Sequence, residues 1–159
     1  GVTPAETPPV LRAFKGVEHR IEFVRALAGV SYYNDSKATN TDSAIKALEA
    51  FDGHIILIAG GDDKLTDLGA FMELVHARVD ELILVGDAAE RFAAAARDAG
   101  IPEAQIHRVG YHMEKAVQLA RELAAAGQIV LLSPACASFD MYGGYEERGR
   151  DFKRLVNEL

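Results

Sequence analysis

The sequence has 159 residues, of which 49% are hydrophobic and 26% charged, a balance typical of a globular domain rather than a disordered chain. Its formal net charge of −7 leaves no basic excess with which to neutralise the phosphates of nucleic acid or of an anionic membrane. No apolar run approaches the ~18 residues that span a bilayer, and a single cysteine cannot form an internal disulfide. We therefore expect a cytoplasmic domain that binds neither nucleic acid nor membrane.

The N-terminal stretch GVTPAETPPV contains three prolines and has neither the basic start nor the apolar centre of a signal peptide. Proline-rich segments of this kind are extended and often join domains. We predict that residues 1–16 are an inter-domain junction and that residues 17–159 are one domain.

The next residues predict two paired strands. Extended segments on either side of Ala28-Gly29 indicate an antiparallel edge strand that turns into a first parallel strand at Val30–Asn34. A helix is predicted over residues 41–51. His54–Gly61 is a continuous Ile-rich run that stops at two glycines, which is typical of a strand buried on both faces.

Strands and helices then alternate. The predicted strands are Asp80–Asp87, the weaker Gln105–Val109, and Gln128–Pro134, and the predicted helices cover residues 67–79, 88–100, 113–127 and 145–159. Val79 is assigned to the apolar stripe of its helix, and Gly100 and Gly127 are expected in the left-handed position that follows a helix. The alternation indicates a doubly wound, mostly parallel Rossmann-like α/β sheet, with helices on both faces and an N-terminal antiparallel edge strand.

In an open parallel sheet, ligands bind outside the carboxyl ends of the strands. The loops that leave three of these ends are NDSKATNTD (34–42), GGDDKLTD (60–67) and SPACASFDMYGG (133–144), the most polar and glycine-rich connections of the chain. We expect them at one edge of the sheet.

The first loop contains candidate capping residues and candidate ligand groups. Thr39, Asn40 and Thr41 are all suitable N-caps for the following helix. Asp35 and Lys37, two residues apart beside a helix N-terminus, can in addition hold a phosphate and its metal ion.

For several residues of the second and third loops, the sequence allows either a structural role or a ligand-binding role. Paired glycines let a ligand approach the backbone closely, whereas Lys64 is either a solvated surface lysine or a ligand group. Ser138 either caps the next helix or donates to a bound carboxylate. Cys136 has no basic neighbours that would lower its pKa, so we interpret it as a buried small hydrophobe. Tyr145 belongs either to the core or to a pocket wall.

Several familiar motifs are absent from the sequence. It contains neither the G-x-x-x-x-G-K-[ST] phosphate loop nor the G-x-G-x-x-G dinucleotide fingerprint. The five histidines lack metal-ligand spacing and are interpreted mostly as surface or junction residues. His19 is singled out because its neighbour Arg20 can reach a nucleotide phosphate.

Four segments together resemble the C-terminal domain of the Mur ligase family, over nearly all of residues 11–159. They are GVEHR (16–20), YNDSKATNTDSAIKAL (33–48), LIAGGDDK (57–64) and LLSPACASFDMYGGYEERGRDFKRLV (131–156). The resemblance implies an ATP-dependent acid–D-amino-acid ligase of peptidoglycan synthesis, which adds D-glutamate to UDP-N-acetylmuramoyl-L-alanine through an acyl phosphate.

Such enzymes have three domains. The first holds the UDP-sugar, the central one carries the phosphate loop and binds most of ATP and Mg²⁺, and the third brings the amino acid. This chain matches only the third. The resemblance therefore implies a monomeric enzyme whose N-terminal and central domains lie in a longer polypeptide, and an isolated domain that is inactive.

The resemblance also implies roles for individual residues. D-glutamate would be held by Thr39, Lys64, Ser138 and Tyr145, although the family commonly has Phe in place of Tyr145. The ATP side would consist of Arg20, Asp35 and Lys37, with Asp35 and Lys37 also catalytic and no metal ligand on this chain. Two other functions share the layered pattern: a dinucleotide-binding oxidoreductase domain, which predicts a glycine fingerprint, and a non-catalytic binding module.

Overall fold

A computed structural model describes residues 16–159 of the chain. The predicted junction at residues 1–16 lies outside the described residues, apart from Gly16. The strands are β1 (Glu22–Leu27), β2 (Val30–Asn34), β3 (Ile55–Gly60), β4 (Val79–Val85), β5 (Ile106–Arg108) and β6 (Ile129–Leu132). The α-helices are α1 (Thr41–Glu49), α2 (Gly69–Arg78), α3 (Ala89–Asp98), α4 (Met113–Leu123) and α5 (Tyr145–Glu158). Within residues 16–159, none of the helices is both long enough and apolar enough to cross a bilayer.

The six strands found within residues 16–159 form one sheet in the order β1-β2-β6-β3-β4-β5. Among these six described strands, β1 and β2 pair antiparallel and the other neighbours run parallel. Ala28 and Gly29 join β1 to β2 with φ of 50° and 80°. Two consecutive positive φ angles are the signature of the tight turn that matches the twist of a hairpin. The predicted edge strand and sheet class are confirmed.

The helices cover both faces of this sheet, as predicted. The apolar side chains of α1, α2 and α3 pack in one cluster, and those of α4 and α5 pack in a second cluster on the opposite face. β3 contributes to both, with Leu57 on the first side and Ile56 and Ile58 on the second. A strand that is buried on both faces needs apolar residues at every position, which explains the unbroken apolar run.

Two predicted helix ends are wrong. Val79 has extended backbone (φ −103°, ψ 125°) and is the first residue of β4, where it pairs with Ile55. α4 ends at Leu123, four residues before Gly127, because Ala124 is already extended. Gly127 instead donates its amide to the carbonyl of Gly29 at 2.9 Å. The apolar periodicity of the sequence cannot show whether Val79 ends the helix or begins the strand, because pairing with the neighbouring strand decides its conformation.

The chain path places β6 at a topological switch point of the sheet. After β5 the chain returns across the sheet and inserts β6 between β2 and β3. The helices that follow β2 and β3 lie on one face, whereas α5, which follows β6, lies on the other. In open α/β sheets, ligands bind outside the carboxyl ends of the strands, where the connections diverge to opposite faces.

Candidate functional site

The three polar loops meet at this edge of the sheet. Between the observed strands and helices, the first loop covers residues 35–40 after β2, the second covers 61–68 after β3, and the third covers 133–144 after β6. The hydroxyl of Ser133 donates to Asp35 Oδ2 at 2.7 Å, joining the third loop to the first. The amide of Asp62 donates to the carbonyl of Ala137 at 2.9 Å, joining the third to the second. The predicted meeting of these loops at one edge is confirmed.

Arg148, which the sequence reasoning missed, holds the first and third loops together. It extends from α5 and is only 2% exposed. Its guanidinium donates to Ser36 Oγ (2.9 Å), Ser36 O (2.8 Å), Ala137 O (3.1 Å) and Cys136 O (3.1 Å). Burial lowers the pKa of Arg148 to about 10, so it remains protonated at neutral pH. The sequence does contain a sign that Arg148 is buried, because Arg148 lies one turn before Phe152 on the buried stripe of the last helix.

Gly60 and Gly61 make room for protein rather than for a ligand. Their φ angles are 107° and 138°. A Cβ on Gly60 would lie 2.1 Å from the carbonyl oxygen of Val85, and one on Gly61 would lie 2.4 Å from that of Ala137. The interpretation of these glycines as a close approach for a ligand is wrong, because neighbouring backbone fills the space.

Asp35 points inward, into the junction of the first and third loops. It is 3% exposed and accepts hydrogen bonds from the Ile21 amide (3.1 Å) and from Ser133 Oγ (2.7 Å). Burial raises the pKa of Asp35 to about 6, while both hydrogen bonds and the charge of Arg20 act in the opposite direction. Asp35 is thus a buried carboxylate at neutral pH that becomes protonated in mild acid.

Lys37 and Tyr145 lie together, although the resemblance assigned them to different substrates. The ammonium of Lys37 is 5.9 Å from the centre of the Tyr145 ring, within the range of a cation–π contact. Ser36 Oγ donates to the carbonyl of Tyr145 at 2.8 Å, which fastens the start of α5 to the first loop. The expected nucleotide side and the expected amino-acid side therefore adjoin at this point.

His19 is buried at 2% exposure, unlike the surface position expected for most of the histidines. Its Nδ1 lies 2.9 Å from Asn34 Nδ2, and the Asn34 carbonyl oxygen accepts from the Ser36 amide, so we assign Nδ1 as the acceptor. The proton of the neutral ring is then on Nε2, 3.5 Å from Glu18 Oε1. Burial lowers the pKa of His19. Arg20 follows as an exposed residue at the same edge.

The structure also decides two capping questions. Asn40 is the N-cap of α1, with Oδ1 accepting from the Ser43 amide at 2.9 Å, so the hydroxyl of the half-buried Thr39 is not the cap. α5 begins at Tyr145 after Gly144, so Ser138 does not cap it. Ser138 is 2% exposed, and its carbonyl accepts two amides of the third loop.

Lys64 and Cys136 occupy contrasting environments. Lys64 is exposed on the second loop. Cys136 is buried, and burial raises the pKa of its thiol to about 12. A thiol with so high a pKa carries almost no thiolate at neutral pH. The interpretation of Cys136 as a small hydrophobe is confirmed.

The described residues do not fit a magnesium site. In residues 16–159, no three His, Cys, Asp or Glu side chains converge as metal ligands. Both oxygens of Asp35, the acidic candidate of the first loop, already accept hydrogen bonds from the protein.

Sequence comparison adds the decisive observation. The family described as "Mur ligase, glutamate ligase domain" matches residues 19–136, most of the chain. The chain belongs to the Mur ligase family.

Among the relatives of this Mur ligase domain are two bacterial proteins named UDP-N-acetylmuramoylalanine--D-glutamate ligase. The protein of Thermoanaerobacter sp. (strain X514) is 48% identical over 159 residues, covering 100% of this chain and 35% of the relative. The protein of Clostridioides difficile (strain 630) is 49% identical over 150 residues, covering 94% of this chain and 33% of the relative. The chain thus spans about a third of the length of these relatives.

Solved structures share the fold of this Mur ligase domain at low sequence identity. A Mycobacterium tuberculosis folylpolyglutamate synthase complexed with ADP and AMPPCP aligns with a TM-score of 0.61 and 17% identity, over 86% of this chain and 32% of that one. A Thermotoga maritima MurF ligase in complex with ADP aligns with a TM-score of 0.52 and 18% identity, over 92% and 33%. These likenesses confirm the fold.

Proposed function

We propose that residues 17–159 are the amino-acid-binding domain of an ATP-dependent ligase that joins D-glutamate to UDP-N-acetylmuramoyl-L-alanine in peptidoglycan synthesis. The observation that carries the proposal is near-half identity, over the whole chain, to proteins named for this activity. The meeting of three polar loops at one edge of the sheet supports this proposal.

D-glutamate has two carboxylates, and we assign its anchoring to Thr39, Lys64, Ser138 and Tyr145. Lys64 is an exposed ammonium on the second loop. Ser138 follows Ala137, whose carbonyl binds the second loop at Asp62. Hydrogen bonds between hydroxyl or ammonium groups and a carboxylate are charge-assisted and therefore strong. Anchoring both carboxylates would direct the single amine of the substrate, which is how an enzyme gains from orientation.

Arg20, Lys37 and Asp35 are proposed for the ATP side of the site. Arg20 is exposed, and Lys37 is half-buried beside Tyr145. Cations near a transferring phosphoryl group stabilise the charge that develops on it. We propose that Asp35 supports catalysis from its buried position, since it ties the Ile21 backbone to Ser133 and thereby orders the loop that carries Lys37.

The proposed ligation has two steps. The substrate carboxylate attacks the γ-phosphorus of ATP, so that an acyl phosphate forms and ADP leaves. The amine of D-glutamate then attacks the acyl carbon, and the C–O bond to phosphate breaks. The nitrogen loses a proton, and the products are the amide and inorganic phosphate. We assign to this domain the orientation of the amine and the neutralisation of phosphate charge.

The remaining parts of the enzyme are proposed to lie outside this chain. N-terminal and central domains would bind the UDP-sugar and most of ATP with its Mg²⁺, and residues 1–16 would join this domain to them. We propose a monomeric cytoplasmic enzyme in which the isolated domain has no ligase activity.

Substitution of the two proposed anchors in the longer protein that contains this chain tests the proposal. Lys64→Ala and Ser138→Ala should each raise the KM for D-glutamate about tenfold or more and leave the KM for ATP nearly unchanged, because each removes a charge-assisted hydrogen bond to a carboxylate. Lys46→Ala removes a lysine that is 80% exposed on α1 and is the matched control. An unaltered KM for D-glutamate in both variants would remove these residues from the site.

A further inference from the structure

A bidentate ion pair holds the second loop on both sides of Lys64. Arg91, in the first turn of α3, binds Asp63 through Nε–Oδ2 and Nη2–Oδ1 contacts of 2.7 Å each. The Nη1 atom of Arg91 donates to the carbonyl of Thr66 at 2.9 Å. The Asp63 side chain is only 13% exposed and that of Arg91 33% exposed. One guanidinium therefore fastens the residue before Lys64 and a residue two positions after it.

The loop between these two attachment points has a backbone that needs support. The amide of Leu65 donates to Asp63 Oδ1 at 2.9 Å. Leu65 has φ +55° and is 76% exposed. A leucine is unfavourable in this left-handed conformation and persists there only when its surroundings impose it. Core packing does not impose it, because residues 64–67 are all exposed.

We propose that Arg91 is a positioning residue, which fixes the Lys64 segment through Asp63 so that the Lys64 ammonium is held ready for a carboxylate of the amino-acid substrate. The inference rests on the proposed function of Lys64. Arginine suits this task because its planar fork binds a carboxylate with two parallel hydrogen bonds, which restricts orientation as well as distance. Without the clamp, the segment must be ordered when the substrate binds, and that entropy cost reduces affinity.

The consequence is selective for one substrate. Arg91→Gln in the longer protein should raise the KM for D-glutamate about tenfold, while the KM for ATP and kcat stay within about twofold. Asp63→Asn should act in the same way. Arg91→Lys should recover only part of the loss, since an ammonium cannot bind both carboxylate oxygens in the same fixed geometry. Arg97→Gln, which removes an ion pair with Glu103 from the same helix, is the matched control and should change none of these constants.

A double substitution separates this inference from the proposed function. If Arg91 acts through Lys64, Arg91→Gln should add no further increase of the D-glutamate KM in a Lys64→Ala background. An unchanged KM in Lys64→Ala overturns the role of Lys64 itself. A raised KM in Lys64→Ala with an unchanged KM in Arg91→Gln overturns only the positioning role, and so does a full additive effect in the double variant.

Hydrogen exchange on the same variants gives a readout that does not depend on activity. The amide of Leu65 should exchange about tenfold faster in Arg91→Gln than in the unsubstituted protein, while amides in β3 and β4 keep their protection. Unaltered exchange at Leu65 would overturn the clamp. This measurement also decides the matter where a variant loses activity by unfolding, since the strand amides would then lose protection as well.

Discussion

Replacing Asp35 by asparagine should stabilise the fold at neutral pH. Asparagine has nearly the same shape, and its carbonyl oxygen can still accept from the Ile21 amide. Its amide group can donate to Ser133 Oγ. The substitution therefore removes the buried charge and keeps the contacts.

The magnitude follows from the pKa of Asp35, which burial raises from an ordinary 3.8 to about 6. The folded protein thus binds more protons than the unfolded chain between these two values. Asp35 contributes stability that is fully present below pH 3.8 and is lost as the pH rises through about 6. The difference of about two pH units corresponds to ~3 kcal/mol. At pH 7 the Asp35→Asn variant should be more stable by up to that amount, and at pH 4 the advantage should largely disappear.

Urea unfolding of the chain and of Asp35→Asn at pH 4, 5, 6 and 7, followed by circular dichroism, measures the difference in unfolding free energy. His19 is present in both proteins, so its own titration cancels in that difference. Asp52→Asn replaces an exposed aspartate outside the site and should change the unfolding free energy by less than about 0.5 kcal/mol. A pH-independent difference, or a variant that is less stable at pH 7, would refute the reasoning.

The remaining predictions concern residues that hold the loops. Arg148→Met should lower the unfolding free energy by ~3 kcal/mol or more in urea titrations, because the buried carbonyls of Cys136 and Ala137 lose their donor. Arg150→Met, at an exposed position of the same helix, is the control and should change the unfolding free energy little. Equal effects of the two substitutions would contradict this role of Arg148. Gly60→Ala should lower the melting temperature far more than Gly127→Ala. Both glycines have positive φ, a conformation that costs a residue with a side chain ~1–2 kcal/mol. At Gly60 the added Cβ would also lie 2.1 Å from the carbonyl oxygen of Val85, whereas at Gly127 it would meet no atom within 4 Å. Similar melting temperatures for the two variants would show that steric exclusion at Gly60 is not the cause.

The site was predictable in its location but not in its internal contacts. Asp35 and Lys37 could be placed at a strand end, because the run before them was evidently a strand and the caps after them a helix. The sequence could not show that Asp35 turns inward to Ser133, since its partner is 98 residues away. The same limit explains why Arg148 was missed, because its acceptors lie on loops more than ten residues distant along the chain.

The sequence by itself determined the class of fold, the edge of the sheet where the loops meet and the family that the four sequence motifs resemble. These depend on local periodicity, on glycine and proline positions and on the rule that parallel strands share a carboxyl edge. Only the tertiary structure decided which groups are buried, which loops are bonded to each other and where β4 begins. The physical reason is that a pKa, an ion pair such as Arg91–Asp63 or a strand boundary depends on neighbours that the fold brings from elsewhere in the chain.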